Sequence, residues 1–319
     1  MQILQGIHRI EVPFGGRVIY QHLLVGNEKV VLVDTGIRDT PETAIFPYLE
    51  HIGKSTEDIT EVVITHSDAD HSGGNEAIKR SAPKARILCH LSDRRLIENP
   101  DLMVSERYNE FARDGVQYSE EVLQAMRDMM GQPVPVDGEL VEGDTIEIEK
   151  GWTVMVHHVP GHSPGHLLLY DPRHNAAIIT DAVLGRGIPD KEGNIAFAPT
   201  YRLTDSYLQT IDRIESLSPE YLFPSHFPLM QGDEVSSFLQ ASRAYVTKLE
   251  EAILNNLRAG EKTFIELLEQ VNENIASWPA EAKGELAYSL AGGLESLEGR
   301  NKLHKVSKGE RRAWKLAMS

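Results

Sequence analysis

Several short apolar runs in this 319-residue chain stop at a side chain able to hold a metal ion, and few folds tolerate that pattern. EVVIT (61–65) runs into His66-Ser67-Asp68-Ala69-Asp70-His71. WTVMVHHVPG (152–161) runs into His162, AAIIT (176–180) into Asp181, and YLFPS (221–225) into His226. Short runs rich in β-branched and aromatic residues predict strands. Loops at one edge of a sheet gather side chains that are distant in sequence. Imidazole and carboxylate are ordinary ligands for zinc, iron and manganese. The loop THSDADHSGGN packs four potential ligands into six residues, too many for one ion in one short turn, so they are expected to divide between two. Gly73 and Gly74 are expected to let the backbone turn sharply before a helix over 73–81. Aspartates that merely capped that helix would have no need of His162, Asp181 and His226.

The remaining pattern places this loop in an α+β chain. VIYQHLLVG (18–26) and VVLVD (30–34) predict a hairpin across Gly26-Asn27. A helix is expected over 41–52, with Thr40 as its N-cap. Further strands are predicted at 85–90, 144–149, 152–159 and 166–171, and a helix at 205–216. Residues 92–132 are charged, helical in period and rich in methionine, which predicts a helical insertion. Met103, Met126, Met129 and Met130 serve there as packing or as an adaptable lid. Beyond residue 232 the chain is mainly helical. Two short alternating runs around Lys308-Gly309 predict a closing hairpin, which makes 233–319 a small winged-helix-like unit behind a catalytic domain at 1–232.

Composition narrows the chemistry. The single cysteine, Cys89, excludes an internal disulfide and a cysteine-based zinc cage; it ends a run that predicts a buried strand. No stretch reaches the ~20 apolar residues of a spanning helix, so no membrane partner is expected. No basic segment followed by an apolar run opens the chain, which predicts a cytoplasmic protein. The net charge is −16, unevenly spread: residues 300–319 carry +6 and the rest −22. An acidic body disfavours a polyanionic substrate. The basic end has three candidate uses: contact with nucleic acid, pairing with the acidic body, or pairing with a second subunit of a homodimer.

VDTG (33–36), THSDADHSGG (65–74), PGHSPGH (160–166), TDAVLG (180–185) and SHFP (225–228) together resemble the metallo-β-lactamase superfamily across residues 1–232. The resemblance implies an αββα sandwich with two divalent metal ions at one edge of two packed sheets. It implies that His66, Asp68 and His162 bind the first ion, that Asp70, His71 and His226 bind the second, and that Asp181 bridges them. Asp34 matches an acid that orients the cluster. Asp68 departs from the family pattern, which has histidine there. Zinc is the leading expectation, and the carboxylate at that position, which adds negative charge and hardness, tilts preference towards iron or manganese and leaves them open. Two close cations lower the pKa of a water between them towards neutrality. The expected activity is hydrolysis of a small ester, thioester or lactone by a metal-bound hydroxide, with Asp70 orienting it and carrying the proton. A phosphodiesterase or nuclease on the same site is the alternative, as is a mononuclear non-haem iron oxidoreductase resembling persulfide dioxygenases. His166 is close behind the ligands or substrate-facing, or else has a structural role in its turn. Tyr201 is either a donor to a substrate carbonyl or a packing residue.

Overall fold

The computed structural model describes residues 1–276 and 278–317. Two sheets face each other. The first has seven strands in chain order: Gln2–Leu4, Ile7–Phe14, Arg17–Val25, Val30–Val33, Ile59–Val63, Arg86–Cys89 and Gly138–Glu139. Its first four strands are antiparallel, and its last four run parallel. The second sheet begins with the antiparallel strands Thr145–Glu149, Trp152–His158, Leu167–Asp171 and Ala176–Thr180. Tyr221–Pro224 then lies parallel to Ala176–Thr180, and Met230–Gln231 closes the edge.

Strand periodicity explains why these runs read as continuously apolar. Val31 and Val33 point between the sheets with Val63, Val154, Leu167, Leu169, Ile178 and Phe223. Their neighbours Val30 and Leu32 point the other way, onto the layer of Ile45, Leu49 and Ile78. Leu168, Ala177 and Ile179 likewise face outward, onto Tyr207, Ile211 and Ile214 of the helix Thr204–Leu217. Strands covered on both faces have little use for polar positions. The result is an αββα sandwich, as expected. The hairpin at Gly26-Asn27 and the buried strand position of Cys89 are also present.

Thr40 is not the N-cap it was expected to be. It has helical dihedrals and its side chain makes no cap hydrogen bond. It packs against Gly36 instead, where an added Cβ would meet its Cβ at 2.5 Å. The expected helix therefore begins as a widened turn, Pro41–Ile45, before Phe46–His51.

The insertion contains the helices Leu91–Ile97, Pro100–Leu102 and Glu120–Asp128, with a π-helical turn at Met103–Tyr108. Met103 and Met130 are buried with Ala69, Val104 and Leu123. Beyond residue 232 come the helix Asp233–Leu257, the strand Lys262–Thr263, the helices Phe264–Ile275 and Ala280–Gly299, and a hairpin of Leu303–Lys308 with Arg311–Leu316. Thr263 and Glu266 close a reciprocal capping box that starts the helix Phe264–Ile275. One apolar cluster runs from the outer face of the second sheet through Phe111 into Phe264, Leu286 and Trp314. Three cations of the basic end meet acids of the body: Arg312 with Asp114, Lys308 with Glu266, and Arg300 with Glu250. Among the described residues, no helix is long and apolar enough to cross a membrane.

Trp152 locks the sandwich at the end away from the ligand loops. It is buried between the sheets, and Gly6 lies so close that a Cβ there would meet the ring at 2.5 Å. Trp152→Ala should cost about 3–5 kcal/mol of stability, seen as a lowered urea midpoint with an unchanged slope.

Candidate metal centre

All the loops that carry the candidate ligands open at one edge of the sandwich. His66, Asp68, Asp70 and His71 follow the strand Ile59–Val63, and His162 follows Trp152–His158. Asp181 follows Ala176–Thr180, and His226 follows Tyr221–Pro224. The last two strands run parallel, so both deliver their loops to the same end. Asp68 is extended, and its carbonyl accepts from the amides of His71 and Ser72 at 3.0 Å each. This starts the one-turn helix Ala69–Ser72, which ends before a separate helix, Asn75–Ser81. Gly73 and Gly74 therefore sit between two helices rather than ahead of one, and both have ordinary negative φ. They are glycines because backbone approaches them closely. A Cβ on Gly73 would meet the Met129 carbonyl at 2.3 Å, and one on Gly74 the Thr35 carbonyl at 2.5 Å.

Each imidazole is held from behind by its Nδ1. His71 Nδ1 lies 2.8 Å from Asp34 Oδ2, and His162 Nδ1 lies 2.6 Å from the Thr200 carbonyl. His226 Nδ1 is 3.3 Å from the Val18 carbonyl, and His66 Nδ1 is 3.1 Å from Thr65 Oγ1. Thr65 Oγ1 donates its proton to Asp34 Oδ2 at 2.8 Å, so it accepts from His66. Asp34 also takes the Thr65 amide at 2.7 Å, and it holds a left-handed φ of 62° to do so. Strain of this kind in a non-glycine residue marks a conformation enforced by its surroundings. Asp34 is thus a buried hub behind the ligands, not a simple turn residue.

The Nε2 atoms all face inward. His71 Nε2 is 3.5 Å and His226 Nε2 3.2 Å from Asp181 Oδ2. His226 Nε2 is also 3.4 Å from Asp70 Oδ2. On the other side, Asp68 Oδ2 lies 3.0 Å from His162 Nε2 and 3.7 Å from His66 Nε2. His66 Nε2, His71 Nε2 and Asp181 Oδ1 are buried without a hydrogen-bond partner. Buried polar atoms are rarely left so, and unpaired atoms on converging ligand types fit a cation. Ligand atoms of Asp70, His71 and His226 lie within 4.8 Å of one another, as do those of Asp34, His66 and His71, and those of His66, His162 and His166.

His166 is fully buried and does not face a substrate. It stacks on His66 at 4.6 Å, and its Nε2 reaches Thr180 Oγ1 and the Ile179 carbonyl. Burial pulls its pKa down to about 3, so it is neutral. Tyr201 is also fully buried, stacked on Tyr207, and is a packing residue.

Two residues of the insertion enter the centre without having stood out in the sequence. Asp93 accepts from the Ser67 amide, Ser163 Oγ and the Gly165 amide, and so ties the first ligand loop to the second. Arg107 is buried and pairs with Asp68, its Nε 3.1 Å from Oδ1. Burial alone would raise the Asp68 carboxyl, but Arg107 and His162 outweigh it and hold the group well below the usual range. The negative charge that Asp68 brings is therefore already compensated. The centre forms part of the wall of a cavity of about 610 Å³. Phe14, Val122, Met126, Met129, Phe197 and Ile265 supply apolar wall to it.

Burial opposes protonation of His226 and His71, yet the facing carboxylates prevail. Asp181 and Asp70 lift His226 to about 9. Asp181, Asp34 and Asp70 lift His71 well above its usual value. In metal-free protein at pH 7 both rings carry a proton that an incoming ion must displace. Zinc uptake should therefore release protons, and apparent affinity should rise with pH up to about 9. Calorimetry in buffers of different ionisation enthalpy measures this, and uptake with no proton release would contradict it.

A family model described as the metallo-beta-lactamase superfamily matches residues 14–226. A hydroxyacylglutathione hydrolase from Hyphomonas neptunium is 28% identical over 149 residues, which is 47% of this chain and 43% of that one. The match thus spans under half the length of that relative. An acyl-coenzyme A thioesterase from Homo sapiens is 28% identical over 228 residues, covering 64% of this chain and 71% of that one. The crystal structure of a metallo-beta-lactamase family protein from Thermus thermophilus superposes with a TM-score of 0.77 at 21% identity, over 99% of this chain and 100% of that one. Fold, ligand loops and family match agree: the chain belongs to the metallo-beta-lactamase superfamily.

Proposed function

We propose that the chain is a metal-dependent hydrolase of a small ester, thioester or lactone. The observation that carries this reading is the set of buried, unpartnered ligand atoms on His66, His71 and Asp181, the last of which lines the cavity. Asp70, His71 and His226 would hold one ion, and His66, Asp68 and His162 the other, with Asp181 between them. Divalent ions bound there supply Lewis acidity and lower the pKa of water. Zinc is the proposed metal. The case for iron or manganese rests on Asp68, whose charge Arg107 already offsets.

The chain's own residues then have distinct tasks. Asp34, Thr200 and Val18 hold the imidazoles in the tautomer that leaves Nε2 towards the centre. Asp70 lines the cavity, and its Oδ2 is 3.4 Å from His226 Nε2. It orients the attacking water and passes the proton to the leaving group. Phe14, Val122, Met126 and Phe197 receive the apolar part of the substrate and exclude bulk water. The names of the two enzymes described above, a hydroxyacylglutathione hydrolase and an acyl-coenzyme A thioesterase, support a thioester among the candidates.

Asp70→Ala should lower kcat by at least about 100-fold on an ester and thioester panel, with unchanged circular dichroism. Turnover retained at the wild-type level would overturn the role given to Asp70. Chelation should abolish hydrolysis and added zinc restore it, and hydrolysis that survives complete metal removal would overturn the metallohydrolase reading.

A further inference from the structure

The two halves of the centre differ in one respect that bears on how many ions they hold. Asp68 is already paired with Arg107: its Oδ2 is hydrogen-bonded, and its Oδ1 is in ion-pair contact without a hydrogen bond. Arg107 Nε lies 3.1 Å from Oδ1 and Nη2 donates to Oδ2 at 3.2 Å, while Oδ2 also meets His162 Nε2 at 3.0 Å. One charge-assisted hydrogen bond and one close ion-pair contact thus set the Arg107 charge against Asp68. Arg107 is fixed in turn by Tyr288. The guanidinium sits 3.8 Å over that ring, and Tyr288 Oη donates to the Arg107 carbonyl at 2.6 Å. On the other half, Asp70 and Asp181 face histidines, and among the described residues neither pairs with a lysine or arginine.

We propose that Arg107 supplies, on the side of His66, Asp68 and His162, the positive charge that a second cation would bring, so that the chain holds one divalent ion tightly and another only weakly. This rests on the metallohydrolase reading above. The tight ion sits on Asp70, His71, His226 and Asp181. A histidine that blocks a metal site can lose its proton and become a ligand, but arginine keeps its charge at every pH the protein meets. An ion approaching His66 and His162 therefore meets a fixed cation that is already paired with Asp68. Arg107 Nη1 is buried without a partner, and Arg107 lines the cavity. The charge of Arg107 at the cavity wall does part of the work of a Lewis acid.

The test is a zinc titration of metal-free full-length protein, followed by desalting and elemental analysis. The wild type should retain one equivalent, with the second binding at least about 100-fold more weakly, given the strength of unscreened repulsion between close cations. Arg107→Lys keeps the charge and should keep the gap. Arg107→Met removes the charge at similar length. It should bring the two dissociation constants within about tenfold of each other and lower kcat by about 100-fold, the scale of losing one electrostatic donor. Two equivalents bound alike by the wild type would overturn the proposal, as would an unchanged gap in folded Arg107→Met or a collapsed gap in Arg107→Lys. If Arg107→Met does not fold, the wild-type count and the lysine variant still decide. The count needs no turnover. Absence of hydrolysis on every substrate would sink the hydrolase reading alone, and two equal ions would sink this proposal alone.

Discussion

Four imidazoles and three carboxylates crowd one sheet edge, and a tether behind each ring keeps the rings' Nε2 atoms turned inward. Burying polar groups without partners is costly. The fold meets half of each ring's demand at Nδ1 and leaves the other half open. The tethers come from four separate segments: Asp34 after the fourth strand, Thr65 after the fifth, the Val18 carbonyl in the third, and the Thr200 carbonyl in the loop before the helix Thr204–Leu217. The strand order of both sheets is needed to bring those segments behind the rings. Outer hydrogen bonds of this kind fix the tautomer and aim of a metal-binding histidine.

The convergence of the strand-end His and Asp side chains was legible in the sequence because a short apolar run ending in His or Asp has few other uses. Covalent order alone placed His66, Asp68, Asp70 and His71 in one loop, and parallel pairing then brought Asp181 and His226 to it. Asp34 was legible from VDTG, though its left-handed φ was not. Arg107 and Asp93 were not legible, and the reason is physical. They lie among Arg94, Arg95, Glu98 and Glu106, charges at helical spacing that look like a solvated face. Arg95 and Glu106 do pair with each other at the surface. Only the packing of Met103–Tyr108 against Tyr288 turns Arg107 inward. Gly73 and Gly74 were correctly singled out, but for a turn. Close backbone contact, which depends on residues such as Met129 in the distant insertion, has no local signature.

The basic end reads differently once its neighbours are known. Arg312 holds Asp114 of the insertion and also lies near the rings of Phe264 and Trp314. The hairpin therefore clasps the insertion from one side while Tyr288 holds Arg107 from the other. Part of the charge asymmetry along the chain is an internal fastening between distant segments.

The hydrogen bond from Tyr288 to the Arg107 carbonyl makes the candidate site depend on a helix far along the chain. It runs from the helix Ala280–Gly299 through the π-helical turn Met103–Tyr108 to Asp68 in the ligand loop. Replacing that helix would alter the charge balance beside the candidate ligands without touching one of them. Asp68, Arg107 and Tyr288 form one physical chain of contacts that crosses three segments of the protein.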